Sequence, residues 1–248
     1  MTYKFDDQVI GYPPIESAPL TLATGAFPPI TPGFIATAED RVYGPGEFIY
    51  GRANGVIPQF GLCVLTPVWD STNKTYTINF TACPNTANLG RPVYVAQASG
   101  AMAAGQYGWF LDTGITPVNG TASVAADTTV GITAAGQIGA NTAGKQLVNA
   151  RNVSPATQTV VKAGTGASGD TVIYVPDTDG WFVGGYLSGT NVGALAVISS
   201  VDPMGKYVVA SVANSGVVAS NVTVTYNNAT VFYNVVAFDR GFAQGAIT

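Results

Sequence analysis

In "TYTINFTAC", residues 75–83, Tyr76, Ile78 and Phe80 alternate with Thr and Asn, so apolar side chains fall on every second position. A period of two puts one face of a strand against a core and the other toward water. The same signal returns in "EFIYGRA" (47–53), "FGLCVLTPVWD" (60–70), "RPVYVAQA" (91–98) and "YGWFLDTGITPV" (107–118), while no long amphipathic helix is visible. Composition agrees: 30 glycines and a surplus of Val, Thr, Ala and Asn stand where helices favour Leu, Glu and Lys, and only 10% of residues are charged. The expected fold is all-β, with an extended N-terminal arm, a central β-barrel or sandwich-like domain, and a small additional β module. "AQASGAMAA" (96–104), rich in alanine, leaves room for one helical turn.

Residues 1–41 read as the arm. Prolines 13, 14, 19, 28, 29 and 32 fall there, and proline removes a ladder donor and drives its predecessor extended. The segment nevertheless carries Phe5, Tyr12, Leu20, Leu22, Phe27, Phe34 and Ile35, too apolar for a free tail. It is expected to lie on another surface, either this chain's own body or, the preferred reading, a neighbouring subunit. Residues 42–165 read as the central domain, closed by 229–248, whose "ATVFYNVVAFDRGF" alternates again. "AGTGASG" (163–169) breaks the composition, and 166–228 reads as the small module, inserted or appended, with short strands parted by "TDG", "TNV", "PMG" and "ANSG".

The chain has no histidine and two cysteines, Cys63 and Cys83, too few to cage a metal. The thiols are expected to be small buried hydrophobes rather than a bridge. "PDTDGWF" (176–182) has the look of a calcium-loop opening, but Ser188 stands at the twelfth position from Asp177 and Gly180 at the fourth, so an Asx turn is the better reading. "GTGASGD" lacks the Lys-Ser/Thr of a phosphate loop. A glycosidase-type pair of acids could be drawn from Glu39, Asp40, Glu47 and Asp112, with nothing local to argue for it. No catalytic residue, cofactor or metal is expected. A net charge of −4 with scattered Lys and Arg gives neither nucleic acid nor a membrane surface a footing. The first residues show no basic segment followed by an apolar run, so a soluble protein made in the cytoplasm is expected.

"YGPGEFIYGRANGV" (43–56), "GRPVYVAQASGAMAAGQYGWFLDTGITPV" (90–118), with "AAGQYGWF" inside it, and a small-residue run through "ADTTVG" to "AGKQLVNARNV" (143–153) carry a likeness. In order and spacing they resemble the capsid decoration, or cement, proteins of tailed bacteriophages. The likeness covers residues 43 to 155, and the module resembles small β repeats of phage decoration and fibre proteins; its length departs from the family pattern. The resemblance implies a non-enzymatic structural protein of the virion, commonly a trimer, on the outer surface of the head. Its partners would be the major capsid protein and further copies of itself, and its effect head stabilisation.

The residues expected at capsid or subunit contacts are Phe5, Tyr12, Phe27 and Phe34 in the arm, Glu47, Tyr50 and Arg52 beside them, and Tyr107 and Trp109 in "GQYGWF". Tyr107, Trp109 and Leu111 share one strand face, which suits a core, a sugar-stacking surface or a subunit junction. Two rivals stand beside this reading. One is a head-fibre or tail adhesin binding host glycans through Trp181, Phe182 and Tyr186; the other is a depolymerising enzyme.

Overall fold

A computed structural model describes residues 3–6, 12–23, 26–70, 75–154, 158–227 and 232–245. Among them there is no α-helix, and the segment at 96–104 is strand end and turns. The chain divides into two compact units: a larger one before residue 156 and from Tyr233 onward, and an insert at 156–232.

The larger unit holds β1 (Lys4–Phe5), β2 (Ile35–Asp40), β3 (Gly44–Ala53), β4 (Leu62–Leu65), β5 (Val68–Asp70), β6 (Thr75–Thr77), β7 (Asn79–Ala82), β8 (Arg91–Ala96), β9 (Tyr107–Gly120), β10 (Thr128–Ala134), β11 (Gln137–Ala140), β12 (Gln146–Asn152) and β19 (Phe232–Ala243). Eleven of these form one sheet in the order β1-β2-β3-β7-β4-β8-β19-β12-β10-β11-β9, and β9 pairs again with β3, β8 and β19. Those extra pairings close the sheet on itself as a barrel and remove most of its edges. The tail strand β19 sits between β8 and β12, in the sheet interior. A separate ribbon, β5–β6, takes Trp69 opposite Tyr76, and residues 71–74, read as the turn, lie outside the described residues.

Both faces of the β3–β9 ladder are covered. Tyr50 stands opposite Trp109 and Gly51 opposite Gly108, so residues of even number in β3 share a face with Tyr107, Trp109 and Leu111. On the other face Phe80 stacks on Phe110 with centroids 3.8 Å apart, in a cluster with Ala53, Ile57, Cys63 and Met102. That stack requires glycine at 51, where an added Cβ would come within 2.4 Å of the Phe80 ring.

The segment read as an arm covers the outer face of this ladder. Ile35–Asp40 is a full strand paired to β3, and Lys4–Phe5 pairs with its far end. Prolines 13–32 lie outside any ladder, yet Leu20 exchanges backbone hydrogen bonds with Tyr107 at 2.9 Å in both directions. The boundary at 41 is therefore corrected: the alternation in "IATAED" belongs to the sheet.

The insert holds β13 (Thr159–Ala163), β14 (Val172–Tyr174), β15 (Tyr186–Gly189), β16 (Ile198–Val201), β17 (Tyr207–Ala210) and β18 (Asn221–Thr225). Two antiparallel sheets, β13-β18-β15 and β14-β17-β16, face each other over Ile173, Trp181, Leu187, Val208, Val222 and Val224. β13 pairs along its whole length with β18, which moves the module's start from the glycine-rich stretch back before residue 159. Composition marked a turn there; ladder pairing sets the boundary.

Candidate functional site

Six of the nine residues expected at contacts converge. Trp109, buried at the centre, has Phe5 at 5.3 Å, Tyr12 at 6.4 Å, Phe34 at 6.5 Å and Tyr50 at 5.1 Å between ring centroids, and Tyr107 stacks on Tyr50. Tilted and edge-on rings at these separations gain quadrupole attraction beyond the area they bury. The Trp109 indole donates to the Pro13 carbonyl at 3.0 Å, and Gln106 Nε2 donates to Thr21 Oγ1, so side chains hold the proline segment where its own backbone cannot. Tyr3 packs edge-on against Phe48 and donates its hydroxyl to the Ile115 carbonyl.

Phe5, Tyr12 and Phe34 thus lie on the chain's own body, the alternative to a neighbouring subunit, and Phe34 stays 38% exposed. Their rings pack on Trp109 because the β3–β9 ladder has a second apolar face that something must cover. Phe27 does not join them: it is 90% exposed between Ala26 and Pro28–Pro29. Arg52 stands opposite Tyr107 at the end of the ladder. Tyr50 is fully buried, and its hydroxyl has no hydrogen-bond partner among the described residues; burial, with Tyr107 adding a little, pushes it up to about 12.

Glu47 lies at the other end of the ladder, opposite Thr113, with Arg240 Nη2 4.0 Å from its Oε1. Asp112 is close enough to feel both. Burial first, then the Glu47 charge, raises the Asp112 carboxyl, and Arg240 opposes the rise. Folding thus brings two of the four acids considered for a glycosidase pair within electrostatic range. A second acidic pair escaped the sequence reading. Glu16 Oε1 is shut off from water, and its carboxyl is pushed up to about 7 by burial, with the Asp40 charge adding and the Tyr3 amide opposing.

Asp40 itself caps the turn after β2, accepting from the amides of Val42 and Tyr43. Cys63 and Cys83 are free, buried thiols. Cys63 stands opposite Ala82, so Cys83 is one residue out of register for a bridge, and burial pushes its thiol up to about 12. Among the described residues no three His, Cys, Asp or Glu are placed to hold a metal ion. The Asx turn in "PDTDGWF" is present, Asp177 Oδ1 accepting from the Asp179 amide while the same atom pairs with Lys162.

The residues named for a glycan-binding adhesin are corrected as well. Trp181 and Phe182 are buried, Trp181 in the insert's core and Phe182 against Tyr226. Between "TDG" and "TNV" only Tyr186 onward is strand, and the turn before it folds both rings inward. Tyr186 sits half-buried on the sheet opposite Thr225.

Two exposed apolar features stand apart from these, and the first corrects the expectation that Tyr76 shares the core face of Ile78 and Phe80. Trp69 and Tyr76, 48% and 68% exposed, pack on each other at 5.0 Å across β5–β6. Their equal spacing from "STNK" was the available signal. The other is Leu195, in a loop with no periodicity to mark it. Scans against protein-family models, the curated proteins and the solved structures returned no match.

Proposed function

We propose that this chain is a non-enzymatic structural protein of a tailed-bacteriophage head. It binds the outer surface at capsomer junctions, contacts the major capsid protein, associates with copies of itself, and stabilises the mature shell. One observation supports this most: "GEFIYG" and "GQYGWF", the two motifs behind the resemblance to decoration proteins, are a single structural unit, registered Tyr50 to Trp109 and Gly51 to Gly108. Their spacing is thereby tied to a ladder that the barrel is built around.

Contact to the shell falls to what the ladder leaves outside. Phe27 stands before a Pro-Pro step, which limits the conformations it loses on binding, and the Trp69–Tyr76 ribbon presents an exposed aromatic pair. Covering one such aromatic contributes about 1.5–3 kcal/mol. Repeated over a shell, contacts of this size resist opening without any one being strong.

The test is co-sedimentation of the purified protein with expanded heads and with procapsids of the phage that encodes it. Pelleting with expanded heads, reduced in F27D and W69D, is the expected result; no binding to either form would overturn the proposal. Truncating residues 1–40 is unsuitable, because it deletes β2 and uncovers Trp109. A glycan-binding adhesin is the second reading, resting now on Tyr174, exposed beside Tyr207 on the outer face of β14–β17. Glycan-array binding that disappears in Y174A would favour it.

A further inference from the structure

The loops 164–171, 189–197 and 211–220 meet at one end of the insert. Gly166 bridges Val218, the Gly169 amide donates to the Asn214 carbonyl, the Ser215 amide donates to the Asn191 carbonyl, and Asn191 Nδ2 donates to the Val217 carbonyl. Gly193 lies against Val212, where an added Cβ would come within 2.8 Å of its side chain. The turn 202–206, with Asp202 and Lys206, joins the opposite ends of β16 and β17.

This end is apolar and carries one charge, Asp170. Leu195 is 78% exposed, Val217 62% and Val212 40%, with Ala194, Ala213 and Ala219 exposed around them. Residues 186–201 and 207–227 contain no Asp, Glu, Lys or Arg, and Asp170 is the one charge that the three loops bring to it. Leu195 is moreover held at φ 58°, a left-handed conformation that glycine adopts freely and a leucine only at a cost. A strained backbone that holds a large apolar side chain in water gains nothing for the isolated module.

We infer that this end of the insert is a self-association surface, meeting the same end of a second copy of the chain. Charge decides the occupant. The surface offers no Lys or Arg to phosphate, whether of nucleic acid or of lipid. The chain as a whole is acidic, at −4, so copies repel wherever their carboxylates face one another. Here each face brings a single carboxylate, Asp170, exposed and accepting from the Val172 amide, so the identical face of another copy meets it over a surface otherwise free of charge. Leu195, Val212 and Val217 form its centre, and Thr190, Asn191, Ser211 and Ser215 its polar rim.

The test uses the full chain alone, so it is independent of head binding. Sedimentation velocity over a concentration series is expected to show reversible oligomers, their mass giving the copy number. L195D and V217D should each weaken association by about tenfold or more, as expected when an apolar side chain of this size is removed from a contact. M204D, at the exposed opposite turn, should leave it unchanged. L195G separates the side chain from the strain: it should raise the melting temperature of the insert while still weakening association. A monomer at every concentration would overturn the proposal. So would oligomers that persist in L195D and V217D, or that dissociate only with F27D or W69D, which would place the contact on the larger unit.

Discussion

The two units solve one problem with different materials. In the insert, two small sheets cover each other, and a core of valines around a single tryptophan, Trp181, suffices. In the larger unit the β3–β9 ladder has an apolar second face that the barrel does not cover, and a proline-bearing segment supplies Tyr3, Phe5, Tyr12 and Phe34 to seal it over Trp109. The difference teaches that period-two alternation specifies a face without specifying what will cover it. A sandwich finds its cover in its own second sheet; the ladder recruits a segment that pairs only in part, through β1, β2 and the Leu20 bridge.

The largest expected effect tests that contrast directly. W109A removes a buried ring in contact with four others and the donor that holds Pro13, and should destabilise the larger unit by about 3–5 kcal/mol. W181A should cost a similar amount within the insert. Differential scanning calorimetry reads both. Each variant is expected to lower one transition and leave the other; a common shift would erase the distinction between the units.

How far this was legible varies residue by residue. "VIYV", "YVVA" and "NVTVT" announced the insert's strands because each is bounded by turn residues and pairs antiparallel over a few positions. "IATAED" was lost among the surrounding prolines, although it pairs for six residues with β3. That 229–248 closes the central domain was read from its alternation, but its place between β8 and β12, with Asn152 opposite Val236, was not, since that depends on register rather than composition. Of the candidate site, "GQYGWF" and "EFIYGRA" were each readable as a strand carrying aromatics, but their pairing was not. That the arm's rings belong to Trp109 was not, because a side chain anchoring a proline segment leaves no period. Trp181 and Phe182 misled for a related reason: a turn at 178–185 folds inward what strand alternation would have left at the surface.

A second variant probes the polar part of the larger unit, for which the insert's valine core has no counterpart of the same extent. Asn152 Nδ2 donates to the carbonyls of Val124, Ala125 and Ser154, its Oδ1 accepts from the Ser154 hydroxyl, and that hydroxyl in turn accepts from the Val235 amide. N152A leaves several buried groups unsatisfied and should cost about 1–3 kcal/mol in denaturant unfolding of the larger unit. No loss would mean that the contacts of β12 and β19 alone hold the junction.

The pH dependence should also divide the units. The Glu16 carboxyl is raised from its ordinary 4.5 to about 7, chiefly by burial, so the folded larger unit holds a proton that the unfolded chain releases. Its contribution to stability is fully present below pH 4.5 and is lost as pH rises through about 7, on the order of 3 kcal/mol in all. E16Q, which keeps the shape and cannot ionise, should flatten that slope and leave the insert's transition where it was. An unchanged slope would move the origin to the other raised carboxyl, Asp112.

The smallest effect is expected from the largest change. The insert leaves and rejoins the larger unit through neighbouring strands: Asn152 stands opposite Val236, and the Val153 amide donates to the Val235 carbonyl at 2.8 Å. Ser154 and Tyr233 are therefore placed to be joined by a short Asn-Gly turn, which would make β12 and β19 a hairpin. Because the Asn152–Ser154 network and the whole β3–β9 ladder lie outside the excised residues, the larger unit should keep a single cooperative transition, moved by less than about 1 kcal/mol. A molten larger unit would show instead that the insert supplies cover to the barrel, as the proline segment does, and the contrast between a self-sufficient sandwich and a ladder that needs outside cover would have to be redrawn around three parts rather than two.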